Sequence, residues 1–158
     1  LMLAMTPVDF QYHDTYFVVA HFHYVLVTGA LFSIYAGAYY WLPKWTGHMY
    51  HDGLAKAHFW FSLISVNILF FPMHFLGLAG MPRRIPDYAL QFADFNKWVS
   101  IGGFAFGVSQ LIFLVVVIKC IQGGKKADAK PWDGAEGLEW TVPSPAPYHT
   151  FEKPPKVD

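Results

Sequence analysis

The sequence predicts an all-α membrane protein with three transmembrane helices, at about 14–42, 56–81 and 96–121, and an extended C-terminal tail. Three observations carry this expectation. Residues 15–42, 57–81 and 98–118 contain no Asp, Glu, Lys or Arg, and each stretch reaches the roughly 20 residues a helix needs to cross the hydrocarbon core. Only 14% of the chain is charged, well below the usual share in soluble domains. Trp41, Trp45, Trp60 and Trp98 fall near span ends, as an aromatic belt does.

Taken in order, the chain starts at Leu1 with no basic region ahead of LMLAM, and so reads as a piece that begins partway through something larger. The first span is expected to stop at Pro43 and Lys44. The second carries Pro72, which should kink it or break its ladder, and it stops at Pro82, Arg83 and Arg84. The third carries Gly102, Gly103 and Gly107, which suit close helix contact, and stops at Lys119. From residue 123 the composition turns rich in proline and loses apolar periodicity. This divides the chain into a transmembrane segment, 1–122, and a tail, 123–158, expected to lie on a partner surface or to be mobile. Net charge is zero, so nothing argues for nucleic acid. Cys120 is the only cysteine, which excludes an internal disulfide and a cysteine-based zinc or iron–sulfur site.

Lys44 and Lys56 flank the first connection, and Lys119, Lys125, Lys126 and Lys130 follow the third span. These lysines share one side, assigned as cytoplasmic or matrix. Arg83, Arg84 and Lys97 then lie on the other side, where adjacent arginines call for a local reason such as an anionic ligand.

The sharpest signal is AHFHYVL at 20–26. His21 and His23 are two residues apart, so on a helix their rings point about 200° apart. One metal cannot take both, because side chains meet at i, i+3 or i, i+4. The spacing therefore argues for two centres, one on each side of the helix, against the plainer reading of two histidines bonded to neighbouring helices. Haem suits such positions, since imidazole is a normal axial ligand and the macrocycle fits between membrane helices. Phe22 would lie at the third side or edge into the gap.

If the helix extends upstream, His13 sits about 12 Å above His21. His13 and Asp14 could there hold a hard divalent ion, or Asp14 could simply cap the helix. Arg83 and Arg84 leave the second span on that same side, and guanidinium fits a propionate in a two-point fork. His48, His51 and His58 read as solvated or interfacial around the inner loop, and His74 as a donor to a carbonyl freed by Pro72.

HDTYFVVAHFHYVL at 13–26, FFPMHFLGLAGMPRRIPDY at 70–88 and GLEWTVPSPAPYHTF at 137–151 resemble subunit I of the haem–copper oxidases, most closely those of the a-type cytochrome c enzymes. The resemblance implies that this chain is the last three spans of a twelve-helix bundle that reduces oxygen to water while pumping protons. It implies His21 as axial ligand of the high-spin a-type haem and catalytic residue, and His23 as axial ligand of low-spin haem a. Phe22 would lie between the haems, Arg83 and Arg84 on their propionates, and His13 and Asp14 on magnesium or manganese. The copper ligands and proton-channel residues would belong to the remaining N-terminal part of the subunit, so the chain alone would be inactive. Further implied partners are oxidase subunits II and III, cytochrome c as electron donor, and membrane lipid. The bacterial inner membrane is favoured over the mitochondrial one. A quinol oxidase is the alternative, disfavoured by Asp14 and by MPRRIPDY at 81–88. From other classes, eight histidines leave open a metal-transporter fragment, and three spans a purely structural bundle.

Overall fold

The computed structural model describes residues 1–155. A short helix α1 (Thr6–Tyr12) precedes α2 (Tyr16–His23), a π-helical segment (Tyr24–Leu31) and α3 (Phe32–Thr46). The last three form one continuous span, Tyr16–Thr46. After a short connection come α4 (Asp52–Leu78) and α5 (Ala93–Gln122). The three spans Tyr16–Thr46, Asp52–Leu78 and Leu90–Gln122 are long and apolar enough to cross a membrane. The expected all-α membrane architecture is what the chain has.

The boundaries differ from the sequence reading for local reasons. Pro43 does not end the first span: the helix runs one turn further and closes where Gly47, left-handed at φ 75°, donates its N–H to the Pro43 carbonyl. The second helix starts at Asp52 because the His51 ring accepts from Leu54 N at 3.2 Å and caps it. It ends at Leu78, before the left-handed Gly80, rather than at Pro82. Trp60 consequently lies two turns inside α4 rather than at its end. Pro72 is carried within an unbroken α4. His13 is not on the first span. The chain turns at His13 and Asp14, and Thr15, not Asp14, caps α2 by accepting from Phe17 N.

α4 is the central helix, packed by α5 along its length and by α2 near its outer end. Both contacts depend on glycine. A Cβ on Gly77 would lie 2.0 Å from Phe17 N, and one on Gly102 would lie 2.5 Å from Leu69 N. Gly107, expected at a contact, faces open space. Ala20, Val66, Phe70, Met73, Leu76 and Val99 fill the core between these helices. Toward the inner end polar pairs take over. Ser62 Oγ donates to Ser109 Oγ at 2.9 Å, Tyr35 bonds Gln110, and Tyr39 OH meets His58 Nδ1 at 3.0 Å. His58 is thus not solvated as expected; it is 1% exposed, among Tyr35, Tyr39 and Phe113.

The tail does not extend away from the chain over its first part. It folds over the inner end of α3, pairing antiparallel at His48 and Lys126, and buries Ala135, Trp140 and Val142. Lys44 organises this wrap. Its ammonium donates to the carbonyls of Ala129 at 3.0 Å and Val142 at 2.8 Å and sits 5.2 Å from the Trp140 ring centroid. Trp132 Nε1 adds a bond to Tyr40 O at 2.8 Å. Lys44→Met keeps the apolar stem and removes both charged hydrogen bonds, which are worth about 1.5–3 kcal/mol each. Limited proteolysis of the membrane-embedded protein should then cut within 123–145 about a hundredfold faster or more. An unchanged rate would mean that the tryptophans and the backbone pairing at residues 47–49 and 125–127 hold the tail without Lys44.

Candidate functional site

His21 and His23 occupy the last turn of α2, just before the π-helical segment. His23 Nδ1 lies 2.7 Å from the Val19 carbonyl. A carbonyl only accepts, so Nδ1 carries the proton and Nε2 keeps its lone pair. The ring is also clamped. It stacks on Phe70 of α4 with centroids 4.3 Å apart and planes 16° apart, and Phe22 flanks it at 4.4 Å. His21 is exposed and, among the described residues, makes no side-chain hydrogen bond or ring contact. One ring therefore rests on the neighbouring helix with a free ring nitrogen, while the other projects clear of it.

The π-helical segment begins at the residue after His23. Within it the Thr28 hydroxyl donates to the Tyr24 carbonyl, a back-bond that competes with the regular ladder. Such wide turns in long helices concentrate at functional sites. Nothing in the composition of YVLVTGAL signalled it.

At the outer end, the start of α2 is stitched to the segment after α4. Tyr16 N bonds Met81 O at 3.1 Å and Arg83 N bonds Asp14 O at 2.9 Å. Asp14 and Arg84 both adopt left-handed backbone, at φ 57° and 61°. Asp14 Oδ1 accepts from Arg83 Nε at 2.8 Å and Nη2 at 2.5 Å. That guanidinium holds the Asp14 carboxyl below the usual carboxylate range, first through its hydrogen bonds and then through its charge. His13 is exposed, its Nδ1 donating to Asp9 O at 3.1 Å, and Arg84 is exposed beside the pair. The structure thus joins Asp14 to Arg83 and leaves His13, bonded to Asp9 O, and Arg84 exposed and outside that pair. No group of three or more His, Cys, Asp or Glu side chains gathers among the described residues.

Two residues of this region were not legible beforehand. Phe70 was one apolar residue in an apolar span, and only the α2–α4 packing shows that it supports His23. His74 bonds Phe71 O at 3.3 Å, not the Ile68 carbonyl that Pro72 deprives of its usual donor. Its ring packs edge-on against Phe17 at 5.2 Å and lies 5.5 Å from that of Tyr24, so it buttresses the α2–α4 contact.

Comparison with known proteins gives a consistent result. Residues 1–105 match the family model described as cytochrome C and quinol oxidase polypeptide I. Cytochrome c oxidase subunit 1 of Cereibacter sphaeroides is 46% identical over 158 residues, covering 99% of this chain and 28% of the relative. The protein of that name from the yeast Yarrowia lipolytica is 44% identical over 171 residues, covering 98% of this chain and 32% of the relative. A chain from a heme-copper terminal oxidase dimer solved by cryo-EM superposes with a TM-score of 0.71 at 21% identity, covering 83% of this chain and 25% of that one. The last comparison speaks to the fold. The chain spans between a quarter and a third of the length of the curated relatives it matches.

Proposed function

The chain belongs to the cytochrome c and quinol oxidase polypeptide I family, and from that premise we propose that it is the C-terminal part of a cytochrome c oxidase subunit I whose first span ligates two haems. One observation carries this reading: two imidazoles on one turn diverge, and the tautomer of His23 is fixed with its outer nitrogen free. That donor set fits haem iron, for which a proton held on Nδ1 by a carbonyl orients the ring and raises its basicity. His23 would hold low-spin haem a through its free Nε2, steadied by Val19 O and Phe70. His21 serves the high-spin a-type haem and is the catalytic residue of this chain. Phe22 stands between the two positions.

Arg83 and Arg84 offer guanidinium groups to the propionates, with Arg83 held in place by Asp14. His13 and Asp14 supply two ligands to a magnesium or manganese ion, and water or other segments complete its shell. When bound, the haems, with copper held by the rest of the subunit, supply one-electron exchange and the reduction of oxygen to water that drives proton pumping. What this chain does is place ligands, fix a tautomer and neutralise carboxylates. Residues 1–122 form that haem-binding segment and 123–158 its cytoplasmic tail.

The remaining spans of subunit I, subunits II and III and cytochrome c are the partners, in a bacterial inner membrane. Asp14 and the string at 81–88 favour cytochrome c over a quinol as donor. The test is an optical spectrum of the purified complex that contains this chain. It should show a-type haem bands, and their absence overturns the reading. His21→Ala should spare the low-spin band and remove carbon monoxide binding; carbon monoxide bound as before would take His21 out of this role.

A further inference from the structure

Helix α4 begins at the inner end of the bundle with an uncommon cap. Ser, Thr, Asp and Asn fill such positions most often, and none of them changes charge between about pH 5 and pH 8. Here the residue is His51, and imidazole is the side chain whose charge does change in that range.

The ring is built into the turn. Leu54 N is shared between the His51 carbonyl at 3.1 Å and His51 Nδ1 at 3.2 Å, and Ala55 N takes the same carbonyl at 3.1 Å. One carbonyl thus serves two donors, and the ring adds an acceptor for the first of them. An amide N–H only donates, so Nδ1 keeps its lone pair and the ring proton sits on Nε2. Gly53 makes room for the ring: a Cβ there would lie 3.1 Å from His51 Cε1 and 3.4 Å from Nδ1. The cap also stands where α4, the connector 47–51 and the tail meet. Met49 N bonds Lys125 O at 2.8 Å, and Ala127 N bonds Gly47 O at 2.9 Å.

A second proton on the ring reverses the contact. Nδ1–H would point at Leu54 N–H, donor against donor, and a cation would stand at the positive end of the helix dipole. The surroundings give the imidazolium no reason to stay. Asp52, the next residue, is already engaged by Lys56 at 2.6 Å, and turning toward it would draw the ring off Leu54 N. On the other side His51 lines a cleft with Tyr50, Lys119, Cys120 and Lys125, among others. Two of these are cations and, among the described lining residues, none is a carboxylate.

We propose that His51 is a pH-sensitive latch on the first turn of α4, closed by the neutral ring and opened when the ring takes up a second proton. Opening removes the side-chain acceptor from Leu54 N and frays residues 52–55, where the connector joins the helix. The latch lies at the opposite end of the bundle from the histidine turn of α2 and stands whether or not the haem assignment holds.

The experiment is hydrogen exchange of the intact complex in lipid nanodiscs, read by mass spectrometry at single-amide resolution. It compares about pH 8 with about pH 5, each rate referred to the intrinsic amide rate at that pH. Protection of Leu54 N should fall about tenfold at the lower pH, as for a lost cap, while amides in the middle of α4 keep theirs. His51→Asn retains a cap of fixed charge, so Leu54 should be protected alike at both pH values. His51→Ala should leave it weakly protected at both. A fall that persists in His51→Asn would place the titrating group elsewhere, and equal protection of the unsubstituted chain at both pH values would show that the cap does not open. Either result overturns the proposal.

Discussion

His23→Ala is expected to abolish the low-spin haem signal while leaving the high-spin centre able to bind carbon monoxide. The substitution removes the only ring nitrogen on α2 whose tautomer the structure fixes, through Val19 O at 2.7 Å, and leaves a gap against Phe70. Helix α2 itself should persist, because alanine is a strong helix former and Ala20, Tyr16 and Phe17 still pack on α4. Phe70→Leu is the informative companion. It removes the stacked ring but keeps the imidazole, so the low-spin band should shift or broaden rather than vanish. Spectra of the purified variants check both. Equal loss of the two haem signals in His21→Ala and His23→Ala would show that the rings do not serve separate centres.

Gly77→Ala is the second large effect expected, and it acts on the scaffold. The new methyl would fall 2.0 Å from Phe17 N and 2.5 Å from Phe17 Cβ. Backbone cannot yield as a flexible side chain does, so α2 and α4 must separate. Overpacking of this kind costs about 1–3 kcal/mol and at times more. The same movement draws Val19 and His23 away from Phe70 and disturbs the bonds from Tyr16 to Met81 and from Arg83 to Asp14. Thermal denaturation of the complex should show a lowered midpoint together with loss of haem content. Gly107→Ala, in open space on α5, is the control and should leave both unchanged within about 0.5 kcal/mol.

What was legible in advance follows from which forces act locally. Charge-free stretches report directly on solvent, so the three spans were readable, and the divergence of His21 and His23 follows from helical phase alone. Boundaries were harder because caps decide them: His51, Gly47 and Thr15 end or begin helices through single bonds that composition does not reveal. The burial of His58 draws on Phe113, 55 residues away, and the wrap around Lys44 on two carbonyls 85 and 98 residues away. Asp14 stood among capping residues by type, yet its left-handed backbone and its tie to Arg83 arise only once the two outer segments meet.

The π-helical segment has a bearing on how the chain's length is constrained. An i→i+5 ladder accommodates a residue that an α-helix would not, and in an α-helix each residue added or lost rotates everything beyond it by about 100°. Tyr24–Leu31 separates the histidine turn from the polar contacts of α3, where Tyr35 meets Gln110 and Tyr39 meets His58. The first span is therefore two rigid rods joined by an angular adjuster. The upper rod is phased for its packing on α4 and the lower one for its polar contacts with α4 and α5, and neither phase has to be a whole number of turns from the other.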